Sequence, residues 1–244
     1  DSLDEDNETV IVDISSVTNG NESGTQQQST TITDDDATPS ITLSVDNATI
    51  AENGGVATFT ATSDAVSGRN ITVNLAYTGT ATGTGTDYTA SGTSITITAG
   101  STTGTRTVTG VDDSLDEDNE TVIVDISSVT NGNESGTQQQ TTTLTDDDAT
   151  PSITLSVDNA NIAESGGVAT FTATSDAVSG RNITVNLAYT GTATGTGTDY
   201  TASGTSITIT AGSTTGTRTV TGVDDSLDED DETVIVDISS VTNG

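Results

Sequence analysis

Apolar and polar residues alternate with a period of two through most of this chain. In residues 40–45, Ile41, Leu43 and Val45 alternate with polar neighbours. Residues 56–62 place Ala57, Phe59 and Ala61 on one face, and residues 70–77 do the same with Ile71, Val73, Leu75 and Tyr77. Ile95 and Ile97 share a face in 93–98, and Val122, Val124 and Ile126 share one in 120–129, with Asp125 outward. Residues 105–111 are rich in Thr, with Gly110 expected to mark a bulge, and residues 138–145 end near Leu144. This is the pattern of half-buried strands separated by Gly, Asn and Asp turns, and Thr and Val suit a pleated surface. No segment shows helical spacing. Seven such strands in about 110 residues predict an all-β, antiparallel, immunoglobulin-like sandwich.

The pattern recurs. DSLDEDNETVIVDISSVTNG stands at 1–20 and again at 113–132, and DSLDEDDETVIVDISSVTNG at 225–244, a spacing of 112. Across that spacing only five positions change: Ser29 to Thr141, Ile32 to Leu144, Thr49 to Asn161, Asn53 to Ser165 and Asn119 to Asp231. A repeat of this length predicts an array of domains, because solenoid units run at roughly 20–50 residues. The segment DDDATPS at 34–40 and 146–152 carries Pro39 and Pro151 and reads as the link. The expected parts are two closing strands of one repeat (1–36), a complete sandwich (37–148), and a sandwich without its last strand (149–244).

Composition narrows the function. There are 37 Asp and Glu against 4 Arg and Lys together, a formal net charge of −33, and no His, Cys, Met or Trp. Without His, Cys or Lys there is no Ser-His-Asp triad, thiol nucleophile, Schiff-base lysine or zinc site. So few cations cannot neutralise a run of phosphates, so nucleic acid is not an expected partner, and an anionic membrane surface would repel the chain. Disorder is disfavoured by the strict alternation, although acidity and an aromatic content of 2% point toward it. Phe59, Tyr77 and Tyr88 are the only large residues of the complete repeat's core, so the ion-free domain is expected to be marginally stable.

The carboxylates fall at strand ends. Glu52 follows the first strand, Asp87 lies in the Gly-Thr loop after the third, Asp112, Asp113, Asp116, Glu117, Asp118 and Glu120 join the fifth and sixth, and Asp146, Asp147 and Asp148 end the seventh. Strands one, three, five and seven run the same way, so these clusters are expected at one pole. A single acidic run reads as a solvated loop. Several converging runs would raise one another's pKa values unless a cation neutralised them. An all-oxygen donor set favours Ca²⁺, which takes 6–8 oxygen ligands in flexible geometry, over Mg²⁺ or a transition metal. The spacing is not that of an EF-hand, whose loop requires a Gly at its sixth position.

An early Glu, then G-x-D-Y, then D-D-x-x-x-E-x-x-E before a strand, and a closing D-D-D resemble the Calx-β domain. VDDSLDEDNETVIVDI and LTDDD are the most specific parts, and the resemblance covers the whole repeat. It implies a seven-stranded immunoglobulin-like sandwich holding several Ca²⁺ at one end. By motif, Glu52, Asp87, Asp112, Asp113, Glu117, Glu120, Asp146, Asp147 and Asp148 match ligand positions, with Leu115 offering its carbonyl. Ser114 and Asp116 depart from the family's usual pattern. The next repeat preserves Glu164, Asp199, Asp224, Asp225, Glu229 and Glu232 and stops before its own triplet.

Near-identical calcium-stiffened modules lead to the expectation of a structural repeat of a long extracellular surface protein, adhesin or filament. Its partners would be neighbouring repeats and, by strand donation, identical chains head to tail. Against donation, residues 8–17 and 232–241 supply the same strand twice, which favours a window cut from a longer chain. The alternative function is a surface- or glycan-binding sandwich. Enzyme activity is not expected, because the carboxylates lack an aromatic sugar platform and the supposed site is simply duplicated.

Overall fold

A computed structural model describes residues 2–195 and 197–244. The described residues form strands, turns and bends without a helix. The chain divides into two compact units, Asp1–Asp112 with Glu120–Thr145, and Asp113–Asn119 with Asp146–Gly244.

The first unit opens with a hairpin-like pair, β1 (Glu8–Asp13) and β2 (Gln27–Ile32), antiparallel and forming a sheet of two strands. Then come β3 (Ser40–Val45), β4 (Thr49–Ala51), β5 (Val56–Ser63), β6 (Ile71–Gly79), β7 (Tyr88–Ala90), β8 (Ser94–Ile97), β9 (Thr103–Gly110), β10 (Glu120–Thr130), β11 (Asn133–Glu134) and β12 (Gln139–Thr145). One sheet has the order β4-β12-β10-β6-β8 and the other β11-β3-β5-β9-β7. The alternating residues read from the sequence fill the core between them: Ile41, Phe59, Val73, Ile95, Ile97, Val108, Val122 and Val124 are all fully buried.

The structure therefore has ten strands in this sandwich where alternation predicts seven. The additional strands, β4, β7 and β11, are two or three residues long, too short for a period to register. β3 and β4 lie in different sheets, because the chain crosses over at residues 46–48. Asp46 secures this crossover: its Oδ1 accepts from Thr58 N at 2.7 Å while its own N donates to Thr58 O at 3.2 Å. β4 then runs parallel to β12, which carries the chain to Glu52.

Gly110 does not mark a bulge; it pairs in register with Tyr88 at the end of β9. A Cβ there would lie 2.5 Å from Glu52 O and 2.6 Å from Ala51 O, so the glycine permits close approach of the β4 backbone. The register shift in this sandwich falls instead between Ile126 and Ser128 in β10.

The second unit holds β13 (Ile153–Val157), β14 (Val168–Ser175), β15 (Ile183–Gly191), β16 (Tyr200–Ala202), β17 (Ser206–Ile209), β18 (Thr215–Gly222) and β19 (Val234–Thr242). Its sheets have the orders β13-β14-β18-β16 and β17-β15-β19. With no counterpart of β12 beside β19, residues 161–163 do not pair as β4 does, and the core is correspondingly thinner. Ile153, Leu155, Val236 and Ile238 are only partly buried, whereas Ile41, Leu43, Val124 and Ile126 are buried in the first sandwich.

Candidate metal centre

Strand ends bring the acidic side chains together. β4 delivers Glu52, β9 delivers Asp112 and Asp113, β10 begins with Glu120, and β12 is followed by Asp146, Asp147 and Asp148. Carboxylate oxygens of Glu52, Asp113 and Asp148 lie within 4.8 Å of one another, as do those of Glu52, Asp112 and Asp147, and those of Asp87, Glu117 and Glu120. Glu52 is common to two of the groups and is itself buried. Side chains so placed offer only oxygen donors, which is the chemistry of a hard divalent cation.

The supporting bonds are local. The Asp87 carboxylate accepts from Thr82 N, and Asp87 N donates to Thr82 O at 3.0 Å, closing the Gly-Thr loop. Asp113 Oδ1 accepts from Leu115 N at 2.8 Å and bends the start of the acidic loop. Asn119 Oδ1 accepts from Asp146 N at 3.1 Å, holding the closing triplet against the end of that loop. Asp146 Oδ1 is buried and takes no hydrogen bond among the described residues. A buried carboxylate oxygen without a donor is costly unless a cation meets it, so the residues fit a bound metal ion.

Of the eleven carboxylates expected at this pole of the complete repeat, eight fall into close groups, Asp146 stands apart with its buried oxygen, and Asp116 and Asp118 pair with Arg181 instead. Leu115 is placed by its N–H. In the second unit, Asp225 N donates to Glu164 Oε1 at 3.0 Å. Partial desolvation, then repulsion from Asp225, Asp199 and Glu164, pushes the Glu229 carboxyl above the usual range. Glu232 is raised by desolvation and by its hydrogen bond to Asp199, with Asp199 and Glu229 adding repulsion. Glu164, Asp199, Asp225, Glu229 and Glu232 therefore act on one another there. Asp224 is exposed.

One member of the acidic loop does something the sequence reading missed. Asp116 is buried, 3% exposed, and faces Arg181, to which it is hydrogen-bonded and ion-paired, while its Oδ2 accepts from Ser179 Oγ at 3.1 Å. Arg181 also reaches Asp118 at 3.3 Å. The Glu117 side chain lies over Gly180, where a Cβ would come within 2.4 Å of Glu117 Oε1. The same arrangement occurs 112 residues earlier, where Asp4 pairs with Arg69 and accepts from Ser67 at 3.2 Å. The Arg69 hydrogen bond holds the Asp4 carboxyl below its usual range, against the desolvation that would raise it. The available signal was scarcity: in a chain with four basic residues, a constant Ser-Gly-Arg turn needed a partner.

The family model described as the Calx-beta domain matches residues 34–148 and 146–244. A model described as the LVIVD repeat matches residues 4–27; an identical stretch recurs at 116–139 inside the first Calx-beta match, so that likeness is confined to one strand and its flanks. No curated protein sequence matches the chain. Among solved structures, CBD12 from CALX1.2 aligns at 15% identity and TM-score 0.39, over 83% of this chain and 80% of its own. The calcium binding domain CBD12 of CALX1.1 aligns at 16% identity and TM-score 0.38, over 72% and 73%. With two family matches that meet at the DDD triplet and together span residues 34–244, this chain belongs to the Calx-beta domain family.

Proposed function

We propose that this chain is a calcium-binding structural segment of a long extracellular surface protein, adhesin or filament, in which Ca²⁺ stiffens each sandwich and its link to the next. The observation that carries the reading is the convergence of Glu52, Asp112, Asp113, Asp147 and Asp148 on shared positions, with Asp87, Glu117 and Glu120 forming a further group. In this reading Glu52, Asp112, Asp113, Asp147 and Asp148 would hold Ca²⁺ through carboxylate oxygens, as would Asp87, Glu117 and Glu120, with Asp146 and the carbonyl of Leu115 as further oxygen donors. Glu164, Asp199, Asp224, Asp225, Glu229 and Glu232 play the corresponding roles in the second sandwich. Near-identity of the repeats supports a mechanical role, since a scaffold needs no variation from module to module.

Thermal unfolding of the 244-residue protein in calcium, magnesium and chelator tests this. Linkage gives about 2.7 kcal/mol of stabilisation per site at one hundred times the dissociation constant. The expected result is a large rise in midpoint specific to calcium, together with reduced flexibility in small-angle scattering. A midpoint indifferent to calcium would make the acidic pole a solvated surface and end the proposal.

A further inference from the structure

We infer that the turn Ser179-Gly180-Arg181 is a binding site for the acidic segment Asp116-Glu117-Asp118, and that by holding this segment it positions the Glu117 carboxylate for a cation. The inference rests on the calcium reading above for the identity of the ion, and on the contacts of the turn for the rest. Segment and turn both belong to the second unit.

The turn meets the segment with backbone, hydroxyl and guanidinium together. Asp116 and Ser179 form an isolated parallel bridge. Gly180 N donates to Asp116 O at 3.1 Å, and Ser179 Oγ shares its proton between that oxygen, at 3.0 Å, and Asp116 Oδ2, at 3.1 Å. Arg181 N donates to Ser179 Oγ at 3.0 Å, which leaves the hydroxyl proton free to point at Asp116. The Arg181 guanidinium spans Asp116 and Asp118, the carboxylates on either side of Glu117. Gly212 N donates to Ser179 O at 3.0 Å and ties the turn to the loop after β17. Neither Asp116 nor Asp118 belongs to a close carboxylate group, so this arginine acts on the candidate metal centre through the segment it holds.

Glu117 stands between two held neighbours, and its side chain crosses Gly180. A Cβ on Gly180 would lie 2.4 Å from Glu117 Oε1, 2.7 Å from its Cγ and 3.0 Å from its Cδ. Gly180 is outside the left-handed region, so its role is space and not backbone conformation. That space is filled by a side chain whose carboxylate oxygen lies within 4.8 Å of those of Asp87 and Glu120. The same contacts recur between Asp4 and Ser67-Gly68-Arg69, where a Cβ on Gly68 would lie 2.8 Å from Glu5 Cγ and 2.9 Å from its Oε1. The fit is therefore a property of the two sequence motifs. Residues that orient a metal ligand without touching the ion set affinity through that ligand's geometry.

Charge alone makes the opposite prediction. The positive charge of Arg181 repels a cation, so its removal would tighten calcium binding. Loss of positioning weakens it. Calcium titration calorimetry of the 244-residue protein separates the two. Arg181→Met is expected to weaken binding at the affected sites by about 10- to 100-fold, and Arg181→Lys, which keeps the charge but not the fork, to recover only part of it. Gly180→Ala changes no charge and displaces only the flexible Glu117 side chain, and the same direction of effect is expected. Arg69→Met is the control, because among the described residues Glu5 joins no close carboxylate group, and its titration is expected to match the parent. Hydrogen exchange in chelator reads the grip without the ion: the Gly180 amide is expected to be protected in the parent and to lose protection in Arg181→Met. Equal or tighter calcium binding in Arg181→Met, an unchanged titration in Gly180→Ala, or an unprotected Gly180 amide in the parent would overturn the inference and leave the calcium reading standing. A parent protein that binds no calcium would overturn both.

Discussion

At the scale of single residues, the acidic loop between β9 and β10 divides its labour by direction. Asp112, Asp113, Glu117 and Glu120 join the carboxylate groups, while Asp116 faces Arg181 and Ser179 within the second unit. Removing Arg181 leaves a buried carboxylate without its cation, whereas Asp116→Asn removes the charge and keeps a polar group of the same shape. Arg181→Met is therefore expected to destabilise the second unit more than Asp116→Asn. Each loss is on the order of 1–3 kcal/mol, near the lower end because Arg181 is 22% exposed. Equilibrium unfolding in denaturant checks the ranking. Gly110→Ala forces a methyl group against the carbonyls of Ala51 and Glu52. It is expected to cost about 1–3 kcal/mol, and to weaken calcium binding as well because the displaced backbone carries Glu52. Glu52→Gln is the complementary change. Isothermal titration should show calcium affinity falling, while stability in chelator holds or rises because one charge has left a crowded cluster.

Among the elements, β12 separates the two sandwiches more than any sequence difference does. Leu144 closes one end of the first core and is 3% exposed, whereas its counterpart Ile32 in β2 is 54% exposed. Leu144→Ala is expected to cost about 2–5 kcal/mol of stability, and Ile32→Ala well under half of that, although both truncate a similar side chain. Thermal melts of the two variants in chelator decide it, and equal losses would mean that Ile32 is buried in solution. The six longer strands were legible because alternation over six or more residues marks a face, and the seventh, β8, was legible from Ile95 and Ile97 alone. β4, β7 and β11 were not, since their pairing is dictated by neighbours distant in sequence. Gly110 shows the same limit: a glycine in a strand signals a bulge or a close approach, and only the approach of Ala51 and Glu52 tells them apart.

Over the whole molecule, charge sets the conditions under which the fold persists. Glu229 and Glu232 sit above the usual glutamate range in the fold, so the folded state binds more protons than the unfolded chain in that window. Ion-free protein is therefore expected to gain stability as the pH falls from neutrality toward the glutamate range, contrary to ordinary acid denaturation. Asp4 acts in the opposite sense. Its carboxyl is held below 3.8, so its contribution is present above that pH and is lost as the pH falls further. Calcium is expected to invert the first trend, because protons would compete with the ion for the same oxygens and bound calcium would hold the carboxylates ionised. Melting temperatures measured against pH, with calcium and with chelator, are expected to slope in opposite directions between about pH 4.5 and 7, and parallel slopes would argue against ion binding at these groups.

The amino-acid sequence by itself determined the strand faces, the 112-residue repeat and the crowding of carboxylates at strand ends, because side-chain alternation and repetition are local properties of the chain. Only the tertiary structure decided which acids converge, which one is buried against an arginine, and which strand pairs lack a partner. Two copies of the same strand, β1 and β10, have the same pattern and opposite surroundings, one exposed and one at the centre of a core. Alternation tells which face of a strand is apolar; what covers that face depends on contacts between segments far apart in the chain.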